Sequence, residues 1–474
     1  MQISTDTSSL QFPGLAHPGP GLFCLDGVSR AEVWAMAAWL KANLPGRNEA
    51  PVCLAAEDRG LIAAGLLAAL QGAPVLLFPH AFSGQALADM QKDSGYRLAI
   101  SEVERDFPSG TKRLAPPSGL AANIAAHLDE NARPVAPPVA SSPVVMPLHS
   151  DAELLHLYTG GSTGRPRVWR KTVANVFGET AFWRDYLQIS AEDRIVATVP
   201  PWHIYGFLHS IVMPLISGAA VAPETPSFPE EIALAAHSRR ATVLISAPPH
   251  YRALRGKALA APSLRFALSS AGPLSPEDND SFCQSNNVSI IEIYGSTETG
   301  GVACRNRFQG ESILVPPPPI IWRLKSGRLL VASPWLSPEL PRDADGFFVT
   351  GDRAESAGQG FILKGRADSV AKVAGKRVDL EEVAVVVRAF AGVSDCLVMA
   401  LDEDSGRGSR IAVLAAGGVE AEGLKHFLAG RLESHALPKI IKIVDQIPTK
   451  DNGKYDREAV LHLLGRGFLG KIIT

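Results

Sequence analysis

The sequence is poor in cysteine and has no cysteine pair. Its five cysteines, Cys24, Cys53, Cys283, Cys304 and Cys396, are scattered through 474 residues with no Cys-x-x-Cys. That argues against a disulfide framework or a zinc site and fits a reducing compartment. No apolar run approaches the roughly 18 residues of a membrane span. Residues 61–70 are apolar but short, and read as a buried helix. Charge of neither sign dominates: 46 basic against 48 acidic residues give a formal net charge of -2. There is thus no electrostatic case for nucleic acid or an anionic membrane. The opening MQISTDTSSLQFPG has no basic n-region and no apolar h-region, so no export signal is expected and the cytoplasm is the expected location. No internal repeat is visible. The nucleotide-hydrolase signature G-x-x-x-x-G-K-[ST] is missing, and the dinucleotide fingerprint G-x-G-x-x-G is absent from the chain's most glycine-rich loop.

That loop is LYTGGSTGRPR, residues 157–167. Gly160, Gly161 and Gly164 allow close backbone approach and left-handed turns. Thr159, Ser162 and Thr163 add hydroxyls, and Arg165 and Arg167 add positive charge. A turn of this composition with inward N–H groups is a nest for an anion such as phosphate. The apolar residues 154–158 form a strand that positions it.

The length allows two or more domains, and 46% hydrophobic with 20% charged residues describes an ordinary globular protein. Ser29 followed by Glu32 is a capping box opening a helix to about residue 44, with Val33, Met36, Ala37 and Leu40 on one face. Short apolar strands are predicted at 52–55, 75–78 and 98–101, with a second helix starting at Asp58 and ending at Gly72. Strand–helix–strand alternation of this kind indicates a parallel, helix-covered sheet. A proline-rich connector at 131–147 precedes the glycine-rich loop. Beyond it come a helix at 175–186 and strands at 194–199, 242–246, 265–269 and 288–293. The segments PPWHIYGF (200–207), SSAGPLSPE (269–277) and YGSTETGG (294–301) follow strand ends, where open α/β sheets place their ligands. Residues 320–332 and 347–349 are β-rich. The last third reads as a small α+β unit. It has a strand at 361–364, a strand or hairpin at 371–378, and a second capping box, Asp379 with Glu382, opening a helix to about residue 390. A strand at 397–401, a helix near 420–432 and a strand at 440–444 complete it.

Five stretches together carry a family resemblance. LYTGGSTGRPR resembles the phosphate-binding signature of adenylate-forming enzymes: acyl-CoA and aryl-CoA synthetases, the adenylation domains of nonribosomal peptide synthetases, and luciferases. IYGSTET resembles their Tyr-Gly-x-Thr-Glu motif, and FVTGDRAE their Thr-Gly-Asp motif. LKGRADSVAKVAGKRVDLEEV resembles the segment joining their two domains, and PTKDNGKYDR their C-terminal Gly-Lys motif. The resemblance runs in register from about residue 52 to residue 457.

It implies an α/β fold with a large N-terminal domain, residues 1–367, of helix-covered sheets plus a small β-rich subdomain. A small mobile α+β lid domain, residues 368–474, would carry the Gly453-Lys454 pair. The implied activity is ATP-dependent activation of a carboxylic acid as an acyl-adenylate. The acyl group would then pass to a pantetheine thiol of CoA or of an acyl carrier protein. Combining two anions requires positive charge, and the resemblance assigns it to Lys454. Asp352 would accept hydrogen bonds from the ribose hydroxyls, and Arg366 would support ribose or phosphate. Tyr294 would stack on adenine, with Gly272 and Gly295 close by. Thr159, Gly161, Ser162, Thr163, Gly164 and Arg167 would hold phosphate. Thr297 would contact the α-phosphate, and Glu298 would hold Mg²⁺, which prefers oxygen ligands. His203 would line and gate the acid pocket with Tyr205, Ser270, Gly295 and Gly300. Asp368 would be the hinge, and Gly375 would leave room for the pantetheine arm.

Three positions depart from the family pattern. Gly160 stands where Ser is usual, Arg167-Val168 where Lys-Gly is usual, and Arg328 follows Gly327 where Glu is usual. Arginine can still clamp phosphate. Aromatic and small residues near His203, Tyr205, 269–272 and 294–300 suit an aryl or aryl-acrylic acid, or a medium-chain acyl group. The partners expected are a small acid and CoA or a carrier protein, for a monomer or homodimer. Two rival readings are a non-catalytic homologue that binds adenylate or a carrier protein, and an enzyme that stops at the adenylate.

Overall fold

The computed structural model describes residues 21–116, 149–159, 167–367, 370–373, 376–402, 409–449 and 455–464. The chain forms two compact units. The first holds most residues up to Ile320 together with Ala332–Pro341, and the second holds Ile321–Val331 and the chain from Arg342 onward.

The first unit contains two six-stranded sheets. One uses β1 (Val52–Leu54), β2 (Leu76–Phe78), β3 (Leu98–Ile100), β4 (Lys112–Leu114), β5 (Glu153–Thr159) and β6 (Arg167–Thr172) in the order β4-β3-β1-β2-β5-β6. All neighbours are parallel except β5 and β6. The other uses β7 (Arg194–Ala197), β8 (Ala220–Val221), β9 (Val243–Ser246), β10 (Phe266–Ser269), β11 (Ser289–Ser296) and β12 (Gly300–Asn306) in the order β12-β11-β10-β9-β7-β8. There only β11 and β12 are antiparallel. Strands as apolar as β2 (LLF) and β9 (VLIS) are wholly buried, as a sheet covered on both faces requires.

Helix α1 (Arg30–Asn43) starts at the expected capping box, with both reciprocal bonds formed. Val33, Ala37 and Leu40 are buried as expected, whereas Met36 is only half-buried and Arg30 takes its place in the interior. The Arg30 guanidinium donates to the Pro214 and Ala219 carbonyls, which makes that burial tolerable. Helix α2 (Arg59–Leu70) is capped by Asp58 and buried on every side, as expected of a helix that is apolar all round after its first residue, Arg59. Helix α3 (Gly84–Ser94), capped by Ser83 and ended by left-handed Gly95, went unread in the sequence. The helix expected at 175–186 opens with a π turn, Ala174–Gly178, and continues as α4 (Glu179–Leu187).

The second unit contains a four-stranded sheet in the order β13-β14-β15-β16, from β13 (Ile321–Lys325), β14 (Arg328–Ala332), β15 (Phe348–Ala357) and β16 (Gly360–Arg366), with β15 antiparallel to both its neighbours. A hairpin of β17 (Val370–Val373) and β18 (Lys376–Asp379) follows. A three-stranded sheet is built from β19 (Val393–Asp402), β20 (Ser409–Gly417) and β21 (Ile440–Val444). Helix α5 (Leu380–Arg388) buries Leu380, Val383, Ala384 and Val387. Its cap differs from the expected box: the Asp379 side chain accepts from the Glu381 amide rather than from that of Glu382. Among the described residues, no helix is long and apolar enough to cross a membrane.

Candidate functional site

In the first unit the described candidate residues lie at or just beyond the ends of β5, β7, β10 and β11. Thr159 ends β5 and pairs across the ladder with Arg167, which opens β6. The two ends of the glycine-rich loop are therefore fixed beside one another. The Trp169 indole N–H donates to Thr159 Oγ1 at 3.2 Å. Gly161, Ser162, Thr163 and Gly164 lie outside the described residues, as does Gly160.

Thr297 and Glu298 occupy the tip of the β11–β12 hairpin. The tip is tied by a reciprocal pair: the Ser296 amide donates to Thr299 Oγ1 and the Thr299 amide to Ser296 Oγ. From behind, the Ser337 amide donates to the Glu298 carbonyl at 2.9 Å. The close ladder explains the glycine of the motif, since a Cβ on Gly295 would stand 2.2 Å from the Gly300 carbonyl oxygen. A half-buried glutamate on a backbone fixed this way suits Mg²⁺, which typically takes one or two protein carboxylates and completes its shell with phosphates and water. No group of three His, Cys, Asp or Glu residues able to hold a metal occurs among the described residues.

Behind the hairpin lies a buried charged layer that the sequence did not announce. The Gly301 amide donates to Glu179 Oε1 at 2.6 Å. Lys171, on β6, is 1% exposed, and its Nζ lies 3.5 Å from the Trp335 carbonyl. Burial pushes the Glu179 carboxyl up to about 7, a rise that Lys171 and the Gly301 N–H oppose. Burial likewise draws Lys171 down to about 8, against the pull of Glu179, Glu298 and Glu339. Asn175 completes the layer by donating to the Pro334 carbonyl. The strand leaving the glycine-rich loop and the hairpin carrying Glu298 thus share one set of supports. Nothing in the local sequence marks Lys171 or Glu179, because a helix carboxylate and a strand lysine are usually solvated.

The segment PPWHIYGF turns sharply after β7. His203 precedes the short helix Ile204–Phe207 and accepts from the Phe207 amide at 2.7 Å through its carbonyl. Its ring stands 5.9 Å from that of Trp202. Gly206 is required there, because a Cβ would meet the Pro200 carbonyl oxygen at 2.1 Å. The Tyr205 ring packs edge-on against His209 at 5.2 Å. After β10, Ser270 Oγ donates to the Ile293 carbonyl at 2.8 Å, and Ala271 takes a left-handed φ of 71° that alanine rarely adopts. A Cβ on Gly272 would meet the Pro248 ring in ordinary contact, at 3.8 Å. The structure thus brings Ser270, Tyr294 and Gly295 together at adjoining strand ends.

The second unit holds Asp352 and Arg366 opposite one another on β15 and β16, with Arg366 Nη1 3.8 Å from Asp352 Oδ1. The register slips beside Asp352, a bulge of the kind that re-aims side chains at functional sites. The Asp352 amide donates to Thr350 Oγ1, which in turn donates to the Leu329 carbonyl. Arg328, one of the departures, donates to the Thr350 carbonyl and so braces the same turn. A Cβ on Gly351 would stand 2.7 Å from the Arg366 guanidinium, the far end of a half-exposed side chain that can move aside. Asp368, Gly375 and Lys454 lie outside the described residues.

Two mixed sheets with loop and hairpin motifs at their strand ends, followed by a small α/β unit, define the architecture of an adenylate-forming enzyme. The chain belongs to the AMP-binding enzyme family, whose sequence model matches residues 29–326. It is 29% identical over 459 residues to the anthranilate–CoA ligase of Pseudomonas aeruginosa, covering 87% of this chain and 86% of that one. It is 25% identical to the 3-hydroxybenzoate–CoA/4-hydroxybenzoate–CoA ligase of Thauera aromatica, over 65% of this chain and 66% of the other. Among solved structures, ATP-bound MatB from Rhodopseudomonas palustris superposes with a TM-score of 0.74 at 20% identity, covering 91% and 92% of the two chains. The anthranilate CoA ligase AuaEII in complex with anthranoyl-AMP gives 0.73 at 16% identity, covering 94% of each.

Proposed function

We propose that the chain is an acid–thiol ligase that activates an aryl or aryl-acrylic acid with ATP and transfers the acyl group to CoA. A carboxylate oxygen of the acid attacks the α-phosphorus of ATP, and the bond to the departing pyrophosphate breaks. The CoA thiol then attacks the acyl carbon, AMP leaves, and the thiol proton is released. Mg²⁺, when bound, supplies charge neutralisation at the phosphates.

The chain's own residues divide the work. Thr159, residues 161–164, Arg167 and Thr297 hold phosphate oxygens, and Glu298 is the carboxylate for Mg²⁺. Asp352 accepts from the ribose hydroxyls, with Arg366 beside it. Tyr294, Gly272 and Gly295 receive the adenine, and His203, Tyr205, Ser270 and Gly300 border the acid. Lys454 offsets the negative charge that develops between acid and phosphate. Asp368 serves as hinge between residues 1–367 and 368–474, and Gly375 borders the path of the thiol.

The observation that supports this most is the fixed hairpin tip. Thr297-Glu298 is held at Ser296–Thr299 in front and at Ser337 behind, in a chain of the AMP-binding family. Preorganised donors and carboxylates are what such a reaction needs. The names of the first relatives favour aryl acids and CoA. The test is to incubate the protein with ATP, Mg²⁺, CoA and a panel of aryl and aryl-acrylic acids, and to assay acyl-CoA and AMP by mass spectrometry. Equimolar acyl-CoA and AMP with one acid class supports the reading. Acyl-AMP that accumulates irrespective of CoA, or that is consumed only by a carrier protein, contradicts the choice of thiol. No product from any acid contradicts the activity.

A further inference from the structure

A row of hydroxyls crosses the strand ends of the second sheet in the first unit. Ser246 and Ser269 are direct partners in the parallel register of β9 and β10. Thr198 follows β7 and continues its ladder, its amide donating to the Ile245 carbonyl at 2.9 Å. Residues in register on neighbouring strands share a face of the sheet. Accordingly, Thr198 Oγ1 and Ser246 Oγ are 2.8 Å apart, and Thr198 Oγ1 is 2.7 Å from His250 Nδ1. These three groups satisfy one another.

Their neighbours are not satisfied. Ser269 Oγ, Tyr205 Oη and His209 Nδ1 are buried without a hydrogen-bond partner. Ser269 is 2% exposed and His209 3%. The Tyr205 hydroxyl lies by the Ser246 N–H, a donor, and its own O–H has no acceptor. A buried polar atom left alone is costly, so orphans gathered in one place indicate a partner that arrives with a ligand. The charge of that partner is constrained too. Burial draws both His209 and His250 down to about 4, so both imidazoles are neutral at pH 7. The cluster therefore offers hydroxyls and neutral imidazole nitrogens, and no cation for a second carboxylate.

We propose that this cluster recognises an uncharged hydrogen-bonding substituent, an aromatic hydroxyl or amine, on the acid that the chain takes. Ser269 and Tyr205 are the residues that set the preference, with Thr198, Ser246 and His250 orienting them. The inference rests on the reading of the chain as an acid-activating ligase, and it narrows that reading to hydroxy- or amino-substituted acids.

The test uses matched acids: benzoate and cinnamate, their 2- and 4-hydroxy and 2-amino derivatives, and benzene dicarboxylates. Binding is measured by calorimetry and turnover by pyrophosphate exchange into ATP, for the wild type, Ser269→Ala and Tyr205→Phe. The expected result is a preference of at least about tenfold for a hydroxy or amino acid over its parent, because a site built for a hydrogen bond rejects the analogue lacking it. Each variant should bring that ratio toward one. Both remove an orphaned group, so both should fold with unchanged or higher thermal midpoints. Equal binding of parent and substituted acids, a dicarboxylate bound best, no acid bound at all, or variants that keep the preference would each overturn the proposal. Exchange with parent acids as fast as with substituted ones refutes the recognition while leaving the ligase intact. Selective binding without exchange refutes the ligase and leaves the recognition standing.

Discussion

Glu179 and Gly301 are joined by a short hydrogen bond, 2.6 Å from the Gly301 amide to Glu179 Oε1, inside the first unit. The other carboxylate oxygen fills the space beside Gly300, where a Cβ would stand 2.5 Å from Oε2. The hairpin that carries Glu298 is thereby fixed to helix α4, which follows β6.

Gly300→Ala tests that fit. Its Cβ would also meet Trp335 Cβ at 2.9 Å, and the backbone φ of 68° disfavours any side chain. Overpacking and left-handed strain together should cost about 2–4 kcal/mol in urea unfolding. Pyrophosphate exchange should fall further than the folded fraction does, because the hairpin tip moves. An unchanged unfolding midpoint would contradict the packing.

The buried layer makes a pH prediction with a definite sign. The folded-state pKa of Glu179 is raised from 4.5 to about 7, so the folded protein holds a proton that the unfolded chain releases. Its contribution to stability is therefore present below the unfolded value and is lost as pH rises from about 4.5 to 7. Glu179→Gln keeps an acceptor for Gly301 and should remove that slope. The difference between the two stability curves should change by roughly 1–3 kcal/mol across this interval. Parallel curves would contradict the assignment.

The histidines act in the opposite sense. Burial depresses His209 and His250 from 6.5 to about 4, so the unfolded chain takes up protons that the folded protein refuses. Stability is lost as pH falls from about 6.5 to 4. A His209→Gln, His250→Gln double variant should flatten the acid limb, as followed by thermal melts between pH 4 and 7.

Arg59 is 1% exposed, at the start of α2. It donates to the Pro223 carbonyl at 2.6 Å and to Thr225 Oγ1 at 3.0 Å. Arg59→Met should cost about 2–4 kcal/mol, since it strands buried acceptors that water cannot reach. A change below about 0.5 kcal/mol would show that the acceptors find other partners.

Much of this architecture is legible in the sequence, because apolar strands and helix caps act locally. Ser29 and Asp58 marked two helix starts correctly, and the strands at 194–199, 242–246, 265–269 and 288–293 fell on β7, β9, β10 and β11. Strand β6 went unread because RVWRKT mixes charge into its pattern, and the π turn before α4 has no sequence signal. The second cap had the right residue types at the right spacing, yet Asp379 bonded to Glu381 instead. Of the candidate site, the motifs named the residues at strand ends. They could not show that Thr297-Glu298 is a hairpin tip, because the helix-cap and hairpin patterns share Ser, Thr and Glu. Nor could they show that Lys171 and Glu179 are buried, since their partners Trp335 and Gly301 lie more than a hundred residues away in the chain.

The most direct test of the account is acid-dependent exchange of labelled pyrophosphate into ATP, run on the wild type, Glu298→Gln, Asp352→Ala and Lys454→Ala. The account predicts exchange that depends on an aryl acid, is faster with a hydroxy- or amino-substituted one, and falls at least about a hundredfold in each variant. Absence of exchange with every acid, in protein that binds ATP, would contradict acid activation. Undiminished exchange in Lys454→Ala would contradict the role given to that lysine.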